Sequence, residues 1–360
     1  MKYTRRKFLY TVGAGSALLT MPSLASFAQT VSPNKKLGIA LVGLGNYASI
    51  LGRALQETTT CYLAGIVTGT PEKAVRWKTQ YNIPDANIYN YETFDRVADN
   101  PAIDVIYVVL PNSMHHEFTI RAAKAGKHVF CEKPMAISVL ECEEMIGACK
   151  QANVRLFIGY RLHSEPYNQA AMKFRTTGVG KLQTVESGFG FPIGDPTQWR
   201  LKKALSGGGS LVDVGIYAIQ AARYSAGVEP ISASAHEEKS DPVKFKEVDD
   251  TMRWQLEFPD GVIATSESSY SLRFNRLKIT AEKGWFELDP AFGYGGIHGQ
   301  TDKGPLTFPN INQQAAQMDN FTRCILSSSS SDADGEEGKK DLKVIEAIYR
   351  SVKEGKKVMI

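Results

Sequence analysis

The chain has 360 residues, 43% of them hydrophobic and 22% charged. That length fits roughly two domains, and the composition excludes a disordered, collagenous or disulfide-framework protein. Its 42 basic residues outnumber its 38 acidic ones, but the excess lies in Lys2, Arg5, Arg6 and Lys7. Beyond residue 28 the two signs balance, so bulk charge offers nothing to nucleic acid or an anionic membrane, and no apolar run of spanning length follows.

Thr4-Arg5-Arg6-Lys7-Phe8-Leu9 is a twin-arginine pattern. A mildly apolar stretch runs from Phe8 to Met21, and Ser26-Phe27-Ala28 offers a small-residue cleavage site. Residues 1–28 therefore read as a signal peptide for twin-arginine export, which predicts a periplasmic protein.

Alternating strands and helices follow. Leu37 to Val42 is a buried strand, and a helix runs from the Gly-rich turn behind it to about Gln56. Tyr62 to Val67 is a strand and Pro71 to Tyr81 a helix. Asp104 to Leu110 is an almost wholly apolar strand, as a parallel sheet covered on both faces requires; His116 to Ala125 is a helix stopped by Gly126. Lys127 to Cys131 is a strand. Ser138-x-x-Glu141 is a capping box that opens a helix to about Ala152, and Val154 to Gly159 returns to strand. This order predicts a doubly wound parallel sheet, a Rossmann domain over residues 35–158.

The period then changes. Arg253 to Phe258 alternates polar and apolar, and Val262 to Tyr270, Leu277 to Ala281 and Trp285 to Leu288 are further strands. They predict a second α/β domain, residues 159–360, built on a large open, mostly antiparallel sheet. Ser327 to Lys340 reads as a surface loop before a helix from about Asp341 to Glu354. The five cysteines include no CxxC pair; Cys142 and Cys149 share an apolar helix face, which is core usage, and no disulfide is required.

Three signals carry chemistry. Gly43-x-Gly45-x-x-Ala48 is the dinucleotide fingerprint: a tight turn, a close backbone approach to pyrophosphate, and a small residue where helix meets strand. The second strand ends Val67-Thr68-Gly69-Thr70-Pro71-Glu72-Lys73, without the acid that holds an unphosphorylated ribose. Thr68 and Lys73 can donate to a 2′-phosphate, which favours NADP over NAD as the cofactor. Lys133, in Glu132-Lys133-Pro134, stands at the carboxyl end of a strand, facing the crevice where ligands bind. Adjacent His115 and His116 face apart on a helix and form no metal site.

Glu132-Lys133-Pro134, together with Gly207-Gly208-Gly209-Ser210-Leu211-Val212-Asp213-Val214-Gly215-Ile216-Tyr217, resembles the Gfo/Idh/MocA oxidoreductase family, nearest its glucose–fructose oxidoreductase branch. The likeness also runs through Gly159 to Pro166, Asp289-Pro290-Ala291 with Tyr294, and Gly335-Glu336-Glu337-Gly338. It implies that Lys133, Asp213 and Tyr217 are the catalytic group: Tyr217 the acid–base on a sugar hydroxyl, Lys133 beside it to favour the phenolate, Asp213 to orient sugar and lysine. The cofactor residues it implies are Gly43, Leu44, Gly45, Asn46, Tyr47, Thr68, Lys73, Leu110, Pro111, Asn112, His115, Glu132, Lys133, Arg161, Trp199, Arg200 and Tyr294.

The implied activity is hydride transfer between C1 of a cyclic aldose and nicotinamide, giving a lactone, with reduction of a second sugar. A simple sugar dehydrogenase with dissociable cofactor and an NAD-dependent glycosidase of the same superfamily are the alternatives. The partner is a small sugar, with no nucleic acid and no membrane after signal removal. The family's open sheet implies a homodimer or homotetramer. The long N-terminal arm of the nearest branch has no counterpart in residues 29–36, which leaves retention of NADP between turnovers open.

Overall fold

A computed structural model describes residues 35–360; the expected signal peptide lies outside the described residues. The first sheet is built from six strands: β1 (Leu37–Val42), β2 (Cys61–Val67), β3 (Ile88–Tyr89), β4 (Val105–Val108), β5 (His128–Cys131) and β6 (Leu156–Ile158). Their order is β3-β2-β1-β4-β5-β6, all parallel. Every residue of β1 and β4 is buried, because helices cover both faces. The order reverses between β1 and β4, so a crevice opens beyond their carboxyl ends.

The helices on this sheet are α1 (Asn46–Ala54), α2 (Pro71–Tyr81), α3 (His115–Lys124) and α4 (Val139–Gln151). Their stops follow local chemistry. Asn82 closes α2 in the left-handed region, and Gly126 follows α3 at φ 70°. Ser138 caps α4 by accepting from the Glu141 amide at 3.2 Å. The returning Glu141 carboxylate takes the Ile137 amide, one residue before the cap, so the box closes early.

After α5 (Pro166–Lys173), a second sheet is built on β7 (Leu182–Gly190), with α6 (Lys203–Ser206) and α7 (Ile216–Ala226) in the crossover. The other strands are β8 (Ser232–Glu238), β9 (Thr251–Glu257), β10 (Ile263–Ser269), β11 (Phe274–Ala281), β12 (Gly284–Leu288), β13 (Gly299–Thr301), β14 (Gly304–Pro305) and β15 (Val358–Met359). The order is β14-β13-β12-β11-β7-β10-β9-β8-β15. Only the β7–β10 pair is parallel, so the sheet is mostly antiparallel, as predicted. Met252, Trp254 and Leu256 of β9 are buried while Gln255 is exposed, the mark of a sheet covered on one face.

Two helices complete the chain, α8 (Gln313–Leu326) and α9 (Gly335–Glu354). The surface-loop reading of Ser327 to Lys340 is corrected here. Asp334 caps α9 by accepting from the Glu337 amide at 3.0 Å, and the helix begins at Gly335. The two glycines that disguised its first turn are needed for packing: a side chain at Gly335 would meet Ile146 and Leu156, and one at Gly338 would meet Met135. Ala333 also accepts from the Ile158 amide at 2.8 Å, so this segment runs along β6.

All five cysteines are free and buried; burial pushes the Cys142 and Cys149 thiols up to about 12. Among the described residues, no helix is long and apolar enough to cross a membrane, and no group of three potential metal ligands gathers. His116 instead pairs with Glu144 at 2.6 Å.

Candidate active site

The Gly-rich turn stands at the carboxyl end of β1. Gly43 adopts φ 91°, and a Cβ there would lie 2.5 Å from the Val109 carbonyl oxygen; only glycine permits that turn against the β4 loop. Gly45 is the N-cap of α1, with no side-chain cap and open space where a Cβ would stand. The first amides of α1 are left for an anion. At the end of β2, Thr68 is buried, with its hydroxyl accepting from the Thr70 amide at 3.2 Å. Lys73 lies in the first turn of α2 and is half-buried. No acid stands at this tip among Thr68 to Pro71. The residues present fit a phosphorylated dinucleotide.

Leu110, Pro111 and Asn112 follow β4. Asn112 is buried and donates to the Ser206 carbonyl at 2.8 Å, which ties the crevice to α6. His115 is fully buried, with Nδ1 on the Pro134 carbonyl at 2.9 Å and Nε2 on the Leu110 carbonyl at 3.0 Å. Burial lowers its pKa. The neutral ring donates to one of these carbonyls through its single N–H and lies between the Pro134 and Leu110 loops of the crevice.

β5 delivers Glu132 and Lys133. The Lys133–Pro134 bond is cis. Glu132 accepts from the Tyr107 hydroxyl at 2.7 Å, and Tyr107 accepts from Gln317 at 2.8 Å. Burial pushes the Glu132 carboxyl up to about 7, against Tyr107 and the Lys133 charge. Lys133 Nζ donates to the Asp213 carbonyl at 2.5 Å and to its carboxylate at 3.2 Å. It also lies 5.0 Å above the centroid of the Tyr217 ring. The lysine thus meets the phenol at its face, and its hydrogen bonds go to Asp213.

Asp213 lies in a wide, π-type turn, Leu211–Gly215, that runs straight into α7 with Tyr217 in its first turn. Asp249 holds the Gly-rich entry to this turn, accepting from the Gly209 amide at 2.7 Å, the Leu211 amide at 2.8 Å and the Ser210 hydroxyl at 3.1 Å. A Cβ on Gly209 would lie 1.9 Å from the Asp249 carbonyl oxygen, so glycine is required by close approach. The Asp213 carboxylate also accepts from Arg200 Nε at 3.1 Å and the Tyr270 hydroxyl at 2.9 Å. Burial alone would raise its pKa; Lys133, Arg200 and the Tyr270 hydroxyl hold it down to about 2. The carboxylate is therefore ionised under all ordinary conditions.

Around these groups lies a cleft of about 440 Å³, lined by Lys133, Arg161, Phe189, Phe191, Gln198, Arg200, Asp213, Tyr217, Phe292 and Tyr294 among others. Its size suits a small ligand, and it pairs a polar wall with an aromatic one. Arg161 is 2% exposed and donates to the Gly293 carbonyl at 2.9 Å, the Phe292 carbonyl at 2.6 Å and the Gln313 side chain. Its guanidinium lies 4.9 Å from the Tyr217 centroid and 4.5 Å from that of Tyr294. Tyr294 is 6.0 Å from Tyr47 of the Gly-rich turn, which joins the two halves of the crevice. Arg200 lines the cleft, bound to Asp213, and stacks at 4.6 Å on Trp199, which itself does not line it.

The structure therefore gathers Lys133, Asp213, Tyr217, Arg161, Arg200 and Tyr294 in one cleft, with Gly43 to Tyr47 at its edge. Sequence reasoning missed Tyr270, Gln313 and the Phe189 and Phe292 walls. Phe189 lies on β7, a strand whose glycines and serine hide its period. Tyr270 was placed at a strand end, and only the fold carries that end to Asp213.

A family model described as an oxidoreductase family with an NAD-binding Rossmann fold matches residues 37–160, and a GFO/IDH/MocA C-terminal domain model matches residues 167–287. Aldose-aldose oxidoreductase from Caulobacter crescentus, solved with glycerol, is 47% identical, with a TM-score of 0.87 over 91% of this chain and 100% of that one. D-xylose 1-dehydrogenase (NADP(+)) of Haloarcula marismortui is 28% identical over 345 residues, 90% of this chain and 92% of that protein. Levoglucosan dehydrogenase with NADH and levoglucosan, 20% identical with a TM-score of 0.77 over 91% of this chain and 100% of that one, shares the fold. This chain belongs to the GFO/IDH/MocA oxidoreductase family.

Proposed function

We propose that the protein is an exported, NADP-dependent sugar oxidoreductase that oxidises C1 of a cyclic aldose to a lactone and reduces a second sugar. The observation that carries this is the convergence of Lys133, ionised Asp213 and Tyr217 in one cleft walled by aromatic rings. The 47% identity to a protein titled aldose-aldose oxidoreductase supports the substrate class. The name of the D-xylose 1-dehydrogenase supports NADP, as does the tip of β2, where no acid stands among Thr68 to Pro71 and Lys73 follows in the first turn of α2. The twin-arginine pattern of residues 1–28 supports export.

Gly43 to Tyr47 would hold the pyrophosphate, Thr68 and Lys73 the 2′-phosphate, and Leu110 to Asn112 the crevice wall. NADP, when bound, supplies the hydride acceptor and donor. Tyr217 takes the proton of the C1 hydroxyl as C1 is oxidised. The Lys133 ammonium, held by Asp213, meets negative charge developing on that oxygen. Phe189 and Phe292 receive the apolar face of the sugar ring and exclude water. In the reductive half, Tyr217 returns the proton to the carbonyl oxygen of the second sugar, so a paired cycle needs no net proton exchange with solvent.

Denaturing purified protein should release NADP(H); protein that holds none and does not bind added NADP would overturn the cofactor assignment. Tyr217→Phe should cut turnover by roughly 10²–10⁴ and spare NADP binding, and an unchanged rate would overturn the role of Tyr217. Mixing the protein with D-glucose, D-xylose and other aldoses, and following nicotinamide absorbance, separates the paired cycle from a dehydrogenase that exchanges its cofactor. Replacing Arg5 and Arg6 by Lys should leave the protein in the cytoplasm. The uncovered face of the nine-stranded sheet supports a homodimer or homotetramer, which sedimentation equilibrium would test.

A further inference from the structure

The proposed chemistry places Tyr217 in the cleft but does not account for what holds it there. A hollow of about 20 Å³ adjoins Tyr217, lined also by Gln220, Ala221 and Tyr224 of α7 together with Leu162 and Met172. That is space for about one water. Residues advance about 100° per position on an α-helix, so Gln220 and Arg223 lie on one flank of α7 beside Tyr217. Both are seized by one buried carboxylate. Asp341 of α9, fully buried, accepts from Gln220 Nε2 at 2.6 Å and from Arg223 Nη1. Arg223, itself 2% exposed, is held further by Glu229 at 2.7 Å and Glu337 at 2.7 Å. The Gly335-Glu336-Glu337-Gly338 motif, which the proposed chemistry does not use, sets α9 close enough for these contacts.

The same cluster supports the second group at the Tyr217 ring. The turn Arg161–Ser164 carries Arg161 into the cleft. His163 of that turn packs edge-on against Tyr224 of α7 at 4.7 Å, and Tyr160 stacks on His163 at 5.6 Å. α7 and the Arg161 turn are thus docked to each other beside the Asp341 network. We propose that Asp341 is a positioning residue for Tyr217: through Gln220 and Arg223 it fixes the rotation of α7 that turns the Tyr217 hydroxyl toward the reacting sugar. This deepens the acid–base reading of Tyr217 and rests on it.

The leverage is large. A tyrosine hydroxyl stands on the order of 8 Å from its helix axis, so a rotation of about 10° moves it by more than about 1 Å. A misplacement of that size can cost about a hundredfold in rate. The test is steady-state oxidation of D-glucose in the presence of both NADP+ and a second aldose as acceptor, followed as lactone formed, by wild type, Asp341→Asn, Gln220→Leu and Tyr217→Phe. NADP+ affinity is measured alongside by fluorescence titration. Asp341→Asn should lower kcat at least tenfold, with NADP+ Kd within twofold of wild type and a cooperative thermal transition retained. Gln220→Leu, which removes only one of the two contacts, should lower kcat by a smaller factor in the same pattern.

An unchanged kcat in Asp341→Asn overturns the proposal. So does a parallel loss of NADP+ affinity, which marks general loosening. If Asp341→Asn does not fold, Gln220→Leu decides alone, and an unchanged kcat there overturns it. A Tyr217→Phe variant that keeps its rate refutes the acid–base reading itself, a failure distinct from that of the positioning role.

Discussion

Asp213 gathers Lys133, Arg200 and the Tyr270 hydroxyl on one carboxylate, and its pKa of about 2 records the strength of that grip. An unfolded aspartate titrates near 3.9. The folded value is depressed, so this carboxylate stabilises the protein above about pH 4 and loses that contribution as pH falls toward 2. Asp213→Asn leaves two partly buried cations without their counter-ion, though Lys133 keeps the Asp213 carbonyl; this should cost about 1–3 kcal/mol at pH 7. The gap to wild type in urea unfolding should narrow by about 1 kcal/mol between pH 5 and pH 3; a constant gap would show that the ion pairs add nothing. Glu132 has the opposite sign. Its folded pKa of about 7 lies above the unfolded value, so its contribution is complete below about pH 4 and lost as pH rises through 7. Glu132→Gln keeps an acceptor for Tyr107 and removes the titration. Its melting temperature relative to wild type should rise between pH 5 and pH 8 in cofactor-free protein.

At the scale of elements, what was legible followed strong local signals. α2 matched its predicted limits, Pro71–Tyr81, because Pro starts it and a polar αL residue ends it. Strands β1, β2 and β4 were read from unbroken apolar runs. The missed elements are those whose buried positions are polar. β7, LQTVESGFG, sits at the centre of the second sheet yet carries Ser187, which shares a hydrogen bond with Ser266 at 2.8 Å. Its Gly188 and Gly190 leave room for the Phe274 ring across the strands. α8 buries Gln313, Gln314 and Gln317, of which Gln313 serves Arg161 and Gln317 serves Tyr107, so its inner face looks like an outer one.

The site divides in the same way. Lys133, Asp213 and Tyr217 stood in short motifs, whereas Tyr270 reaches Asp213 from 57 positions away. Gly209 shows how a motif encodes packing rather than chemistry. Gly209→Ala would force a methyl into the Asp249 backbone, so the turn carrying Asp213 must shift. The variant should lose about 1–3 kcal/mol, the usual cost of overpacking, and lose turnover more than it loses NADP binding. Thermal melts and cofactor titration check both.

At the scale of the whole molecule, the last two helices return to the first sheet and complete it. Phe321 of α8 stacks on Phe157 at 4.9 Å and meets Phe130 edge-on at 5.2 Å. Asp319 of the same helix accepts from the Thr59 and Thr60 amides at 2.9 and 2.8 Å, just before β2. Residues 333 and 334 run along β6, and Gly335 and Gly338 of α9 sit against Leu156 and Met135. A fragment of residues 35–160 would therefore expose Phe157, part of Phe130 and an unpaired β6 edge, a combination that favours aggregation. Burial of each aromatic ring contributes on the order of 1.5–3 kcal/mol, against a total stability of only about 5–15 kcal/mol for a domain. The fragment should give no cooperative thermal transition. Fusing residues 311–360 behind it through a flexible linker should restore one, since those residues supply Phe321, Asp319 and the β6 partner. The intact chain should unfold in a single calorimetric transition, because neither sheet keeps its core when the other melts. Two separated transitions, or a cooperatively folded 35–160 fragment, would show that the first sheet is self-sufficient and that the helix contacts are accessory.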